Sequence, residues 1–153
     1  MASQVPAAIF GVAPNDFYVV GAASMLRHFG DGGCGTASYE TAPQAGRALK
    51  AVHGVSFADG GTLFSVVGTD TAWRRVNSTW TVDVIPAGNN LRATWVTQGG
   101  DVWAAGDDGG TAVLWYSPAG GPWAAQVPPT TRPLSAMGGY GTTGPYLVGQ
   151  GGV

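Results

Sequence analysis

Apolar residues in this chain come in short runs, each closed by glycine, proline or a polar residue, and the runs repeat. Ala7-Ala8-Ile9-Phe10-Gly11, Leu49-Lys50-Ala51-Val52-His53-Gly54, Leu91-Arg92-Ala93-Thr94-Trp95 and Leu134-Ser135-Ala136-Met137-Gly138 start 42, 42 and 43 residues apart. A second run follows in each unit: Asp16-Phe17-Tyr18-Val19-Val20-Gly21, Leu63-Phe64-Ser65-Val66-Val67-Gly68, Asp101-Val102-Trp103-Ala104-Ala105-Gly106 and Gly144-Pro145-Tyr146-Leu147-Val148-Gly149. Aromatic and β-branched residues suit a pleated, half-buried strand, and the closing glycine is expected to serve a turn with unusual backbone angles. A third run is Met25-Leu26-Arg27-His28-Phe29, Ala72-Trp73-Arg74-Arg75-Val76 and Ala112-Val113-Leu114-Trp115-Tyr116. A fourth begins at Trp80 and Trp123 and ends at Val84-Ile85-Pro86 and Gln126-Val127-Pro128, with Tyr39 near this place in the first unit.

Four short strands with tight turns fill about 42 residues, the length of one propeller blade. The expected fold is all-β and of the β-propeller type, with about three and a half four-stranded blades of 42–43 residues in one domain, 1–153. The blades fall at 7–48, 49–90, 91–133 and, in part, 134–153, and residues 1–6 are expected to form the outer strand of a composite blade. Asp31-Gly32-Gly33 and Asp107-Asp108-Gly109-Gly110 supply hairpin turns whose central residues need positive φ. The stretch from Gln44 to Val52, interrupted by Gly46, reads as loop and then strand rather than helix.

The segments Gly11-Val12-Ala13-Pro14-Asn15-Asp16-Phe17-Tyr18-Val19-Val20-Gly21 and Leu26-Arg27-His28 resemble the bacterial propeller repeats of pattern G-x-x-P-x-D-x-Y-x-V-G…L-x-H…W. Asp101-Val102-Trp103-Ala104-Ala105-Gly106 is similar to the tryptophan form of the same motif and to the propellers of photosystem assembly factors. The resemblance covers nearly the whole chain and implies the fold, not an activity. A sialidase-type Asp box is not matched, because Pro118 stands at its aspartate position.

Composition narrows the function classes. Charged residues are 10% of the chain, against about 25% in ordinary soluble domains, and the net charge is −2. Six scattered arginines and one lysine make no basic field, so no nucleic-acid partner is expected. No apolar run reaches the ~18 residues of a membrane helix. The first residues lack the charged and apolar regions of a secretory signal, so no signal is expected in this sequence; an extracellular or cell-surface setting would require prior processing. The single Cys34 allows no internal disulfide and is expected to be a buried, inert thiol.

A blade buries its faces only against neighbours, so an arc of three to four blades needs cover at both ends. Ring closure by a homo-oligomer, a fragment of a longer propeller and a compact four-bladed monomer each meet that need. The function expected is a non-catalytic binding or assembly module, not an enzyme, that completes a propeller by self-association, with a protein or, lectin-like, a glycan as ligand. The alternative is a fragment of a larger propeller enzyme such as a glycan-processing hydrolase or lyase.

Candidate chemistry is sparse. Hydrolytic catalysis needs converging carboxylates, and the adjacent pair Asp107 and Asp108 reads as a turn, so no catalytic residue is assigned. A cluster of Asp16, Asp59, Asp70 or Asp101 around a pocket would reopen the enzyme reading. His28 and His53 lack metal-ligand spacing, so no metal and no cofactor are expected. Among six tryptophans, Trp80, Trp103 and Trp123 recur at matching places and read as blade packing. Trp73 and Trp115, with Arg74 and Tyr116 beside them on the third strand, are the expected exposed, ligand-binding positions.

Overall fold

The structure, a computed structural model, describes residues 5–14, 16–30 and 38–151. Fourteen strands lie among these residues. The first sheet joins β1 (Pro6–Ala13), β2 (Asp16–Gly21), β3 (Met25–Phe29) and the two-residue β4 (Ser38–Tyr39). The second joins β5 (Leu49–Ser56), β6 (Thr62–Gly68), β7 (Thr71–Val76) and β8 (Thr79–Asp83). The third joins β9 (Asn89–Val96), β10 (Val102–Asp108), β11 (Thr111–Ser117) and β12 (Ala124–Gln126), and β13 (Leu134–Gly138) pairs with β14 (Tyr146–Gly149). All pairings are antiparallel meanders in chain order, and the first strands β1, β5, β9 and β13 neighbour one another in sequence. This is a propeller-type arc of three four-stranded blades and a two-stranded fourth, as the 42-residue period requires. No helix among the described residues is long and apolar enough to cross a membrane.

Each blade interface has its own core. Tyr18, Val20 and Leu26 of the first blade meet Leu49, Val52, Phe64, Val66 and Trp73 of the second. Val55 and Leu63 meet Val96 and Val102, Val67 and Ala72 meet Leu91 and Ala104, and Ala105, Ala112 and Leu114 receive Leu134.

Three expectations need correction. The glycines that close the second strands, Gly21, Gly68, Gly106 and Gly149, do not sit in the left-handed region. They face a bulge at the start of the first strand, where an added Cβ would land on the backbone carbonyl of Val5, Ala48, Asn90 or Pro133 closer than 3.0 Å. Close approach, not handedness, selects glycine there. Second, Pro6 belongs to β1, opposite Gly21, not to an outer strand; Met1–Gln4, like the Asp31-Gly32-Gly33 turn and Cys34, lie outside the described residues. Third, Asp107 is no turn residue. It ends a buried stretch of β10, where its carboxylate accepts Arg92 Nε–H at 2.7 Å and Asn90 Nδ2–H at 3.0 Å. The turn itself is Gly109-Gly110, both at positive φ.

Matching repeat positions show which faces lack a neighbour. Ile9 is 65% exposed, while Val52 and Thr94, at the same place in the next two first strands, are 7% and 5% exposed. Val148 is 54% exposed, while its counterparts Val20, Val67 and Ala105 are each fully buried by the following blade. Tyr146 is exposed too, where Tyr18 is buried.

Candidate functional site

A row of rings runs across the first strands. Register places Phe10, His53, Trp95 and Gly138 at one repeat position, opposite Tyr18, Ser65, Trp103 and Tyr146. The Phe10 and His53 ring centres are 4.2 Å apart, and those of His53 and Trp95 4.1 Å, each pair tilted by 42° and 33°. The fourth unit breaks the row, because Gly138 supplies no side chain. A cavity of about 460 Å³ opens beside the row, lined by the three rings and by Gln98, Gly139 and Tyr140 among others. Its volume lies in the range of small-molecule sites. The Gln98 N–H donates to the Gly141 carbonyl at 3.0 Å, tying the β9–β10 loop to the β13–β14 loop along the cavity rim.

His53 is held neutral. The Val96 N–H donates to its Nδ1 at 3.0 Å, which fixes the proton on Nε2. Burial lowers its pKa from 6.5 to about 4. Because the unfolded chain binds a proton at His53 that the folded chain refuses, this group favours folding fully above pH 6.5 and less as pH falls through 4. We expect up to about 3 kcal/mol of acid sensitivity from this source. Urea melts between pH 7.5 and 4.5 check it: His53→Asn, which keeps an acceptor for Val96 N–H but cannot titrate, should lose less stability over that range than the unaltered protein.

The family-like motif of the first blade converges at its junction with the second. His28 Nε2 and Asp16 Oδ1 are 2.7 Å apart, and the His28 ring stacks on Tyr18 at 4.7 Å. The Tyr18 hydroxyl donates to Glu40 Oε1 at 2.9 Å, Trp80 Nε1–H donates to Glu40 Oε2, and the Arg75 guanidinium lies over the Tyr18 ring. Burial, and then Glu40, raise the Tyr18 pKa. Glu40 thus ties the two blades together.

The four positions expected to bind ligand are built into the scaffold. Trp73 is fully buried, against the expectation of exposure; it packs in the first interface, with Nε1 3.5 Å from Gln44 Oε1. Arg74 holds Asp83 through Nε and Nη2 at 2.7–2.9 Å and reaches across the interface to Ser117 Oγ at 2.9 Å and the Gly121 carbonyl at 3.2 Å. Trp115 is half-buried, with Nε1–H donating to Asn89 Oδ1 at 3.1 Å. Tyr116 packs on Trp103 at 4.5 Å beside Asp101, and its pKa is raised, by desolvation and by that carboxylate. His28, Arg74 and Tyr116 share one repeat position, each tied to a carboxylate of its own blade. Trp80, Trp103 and Trp123 all pack against blade cores, as the repeat indicated.

The remaining aspartates serve separate loops. Asp59 accepts the Gly61 N–H, Asp70 the Gly88 N–H and Asp101 the Ala119 N–H.

No protein-family model and no curated protein matches the sequence. Among solved structures, the chain is similar to selenomethionine-substituted virginiamycin B lyase from Staphylococcus aureus, with a TM-score of 0.72 and 11% identity over 95% of this chain and 49% of that one. A weaker likeness, TM-score 0.45 and 15% identity, is to YCF48 bound to D1 peptide, over 97% of this chain and 61% of that one. The chain spans about half the length of the lyase, a β-propeller protein, and the likeness at this identity establishes the fold: the chain is a β-propeller-type module.

Proposed function

We propose that the chain is a non-catalytic binding and assembly module whose arc is completed by a second copy, and that the completed particle binds glycans in the manner of a lectin. The observation that carries this reading is the pair of uncovered faces. Ile9 stands on the leading face, with Phe17 stacked on Phe29 at 4.5 Å in the same blade and Arg27 over the rings of Phe29 and Tyr39. Tyr146 and Val148 stand on the trailing face, at the positions that elsewhere receive the next blade. The trailing face of one copy therefore has the chemistry to receive the leading face of another, a head-to-tail contact that closes when the second copy repeats it. Two arcs of this length also match one propeller chain of the lyase's size. The non-catalytic part is supported by Asp16, Asp59, Asp70 and Asp101, each engaged by its own partner rather than sharing a pocket.

Charge placed on either uncovered face tests the assembly. Ile9→Lys and Val148→Lys, at exposed sites, should leave the thermal melt of the isolated chain nearly unchanged and convert the sedimenting species from dimer to monomer. Assembly that survives both substitutions would refute closure through these faces.

A further inference from the structure

We infer that the cavity beside the Phe10–His53–Trp95 row is the glycan-binding site, and that it takes an uncharged sugar. The inference rests on the lectin-like reading above and replaces the third-strand tryptophans as its location.

Three features fix the ligand class. First, none of the cavity's wall residues carries a full charge: His53 accepts the Val96 N–H at Nδ1 and is neutral, and the other polar side-chain groups are the Trp95 N–H, the Gln98 amide and the Tyr140 hydroxyl. An anionic or cationic ligand would find no counter-charge there and would lose its hydration. Second, the wall offers hydrogen-bond donors that the protein does not use. Trp95 Nε1–H is buried without an acceptor, and His53 Nε2–H has no protein partner among the described residues. Buried donors are normally satisfied, so an orphan at a cavity wall marks a place for a ligand oxygen. Gly139 lies against the edge of the indole, where a Cβ would come within 3.2 Å of Nε1, so any side chain at this position would crowd that donor. Third, the ring faces already cover one another at 4.1–4.2 Å. A flat heteroaromatic has no slot to enter between them. The ring edges, carrying N–H groups, suit hydroxyl oxygens, while the flanking Tyr140 ring, 89% exposed, is free to lie against the C–H face of a sugar.

The test uses the assembled protein and defined probes: lactose, cellobiose, maltose and chitobiose as neutral sugars, sialyllactose as a charged one, and adenosine as a flat one. Binding is followed by calorimetry and by the indole N–H resonances, with that of Trp95 assigned from its loss in Trp95→Phe. At least one neutral disaccharide should bind and shift the Trp95 resonance while leaving that of the core Trp73 in place. Tyr140→Ala, at an exposed position, and Gly139→Ala, which narrows the approach to Nε1, should each weaken binding about tenfold, equivalent to ~1.4 kcal/mol. Neutral sugars that bind with unchanged affinity to both variants, and without moving Trp95, would place the site elsewhere and leave the lectin reading intact. Preference for adenosine or sialyllactose would overturn the ligand class. Absence of any sugar binding by the assembled protein would overturn the lectin reading and this site with it.

Discussion

Arg74→Ala is expected to destabilise the chain by about 3–5 kcal/mol, the cost of stranding one partner of a buried ion pair. The Arg74 and Asp83 side chains are only 14% and 7% exposed, so the carboxylate left behind could not recover its hydration. The guanidinium does more than neutralise Asp83. It also donates to Ser117 and to the Gly121 carbonyl of the third blade and lies 5.7 Å from the Trp123 ring. Its loss should therefore loosen the second interface as a whole. A thermal melt should fall by roughly 10 °C for a domain of this size. Replacing both charges, Arg74→Met with Asp83→Leu, should recover much of the loss, because an apolar pair of similar volume needs no hydration. A ligand-binding arginine would behave differently, since its removal would cost affinity and leave the melt in place.

Gly106→Ala is expected to cost about 3 kcal/mol, at the upper end of overpacking penalties. The added methyl would meet the Asn90 carbonyl and the Leu91 Cα, and backbone atoms in a sheet cannot rotate away as a side-chain tip can. Gly68→Ala should behave alike, against Ala48 and Leu49. Two controls separate this cause from others. Gly110, at φ +98 with open space around it, should lose only about 1 kcal/mol on substitution by alanine, the cost of handedness alone. Gly138, with open space and no positive φ, should tolerate alanine with little change. Denaturant midpoints for the four variants rank the effects, and equal losses at Gly106 and Gly138 would contradict the close-approach account.

The architecture was legible because a propeller repeats its strand pattern. Aligned starts at Ala7, Leu49, Leu91 and Leu134 fall within two residues of the first residues of β1, β5, β9 and β13. The reasons behind some positions were not legible. A glycine closing a strand reads the same whether it answers to handedness or to a carbonyl on the facing bulge, and only the register of Gly68 against Leu49 distinguishes them. The third-strand residues misled for a related cause. Trp73 beside Arg74 looks like an exposed stacking pair, but one side chain turns into the interface with Tyr18 and Phe64, and the other finds Asp83 nine residues on. The ring row stayed hidden because its members, Phe10, His53 and Trp95, share no chemistry that an eye for identical residues would catch. The aligned starts also leave the row one place out of step, since Phe10 lies three residues after Ala7 while His53 and Trp95 lie four after Leu49 and Leu91; only the strand register brings them together.

The central claim is that two uncovered blade faces bring two copies together, and the mass of the native particle tests it most directly. Native mass spectrometry of the unaltered chain at micromolar concentration should show a dominant species at twice the 15.5 kDa chain mass. A soluble particle that stays at 15.5 kDa over the whole concentration range would contradict the account.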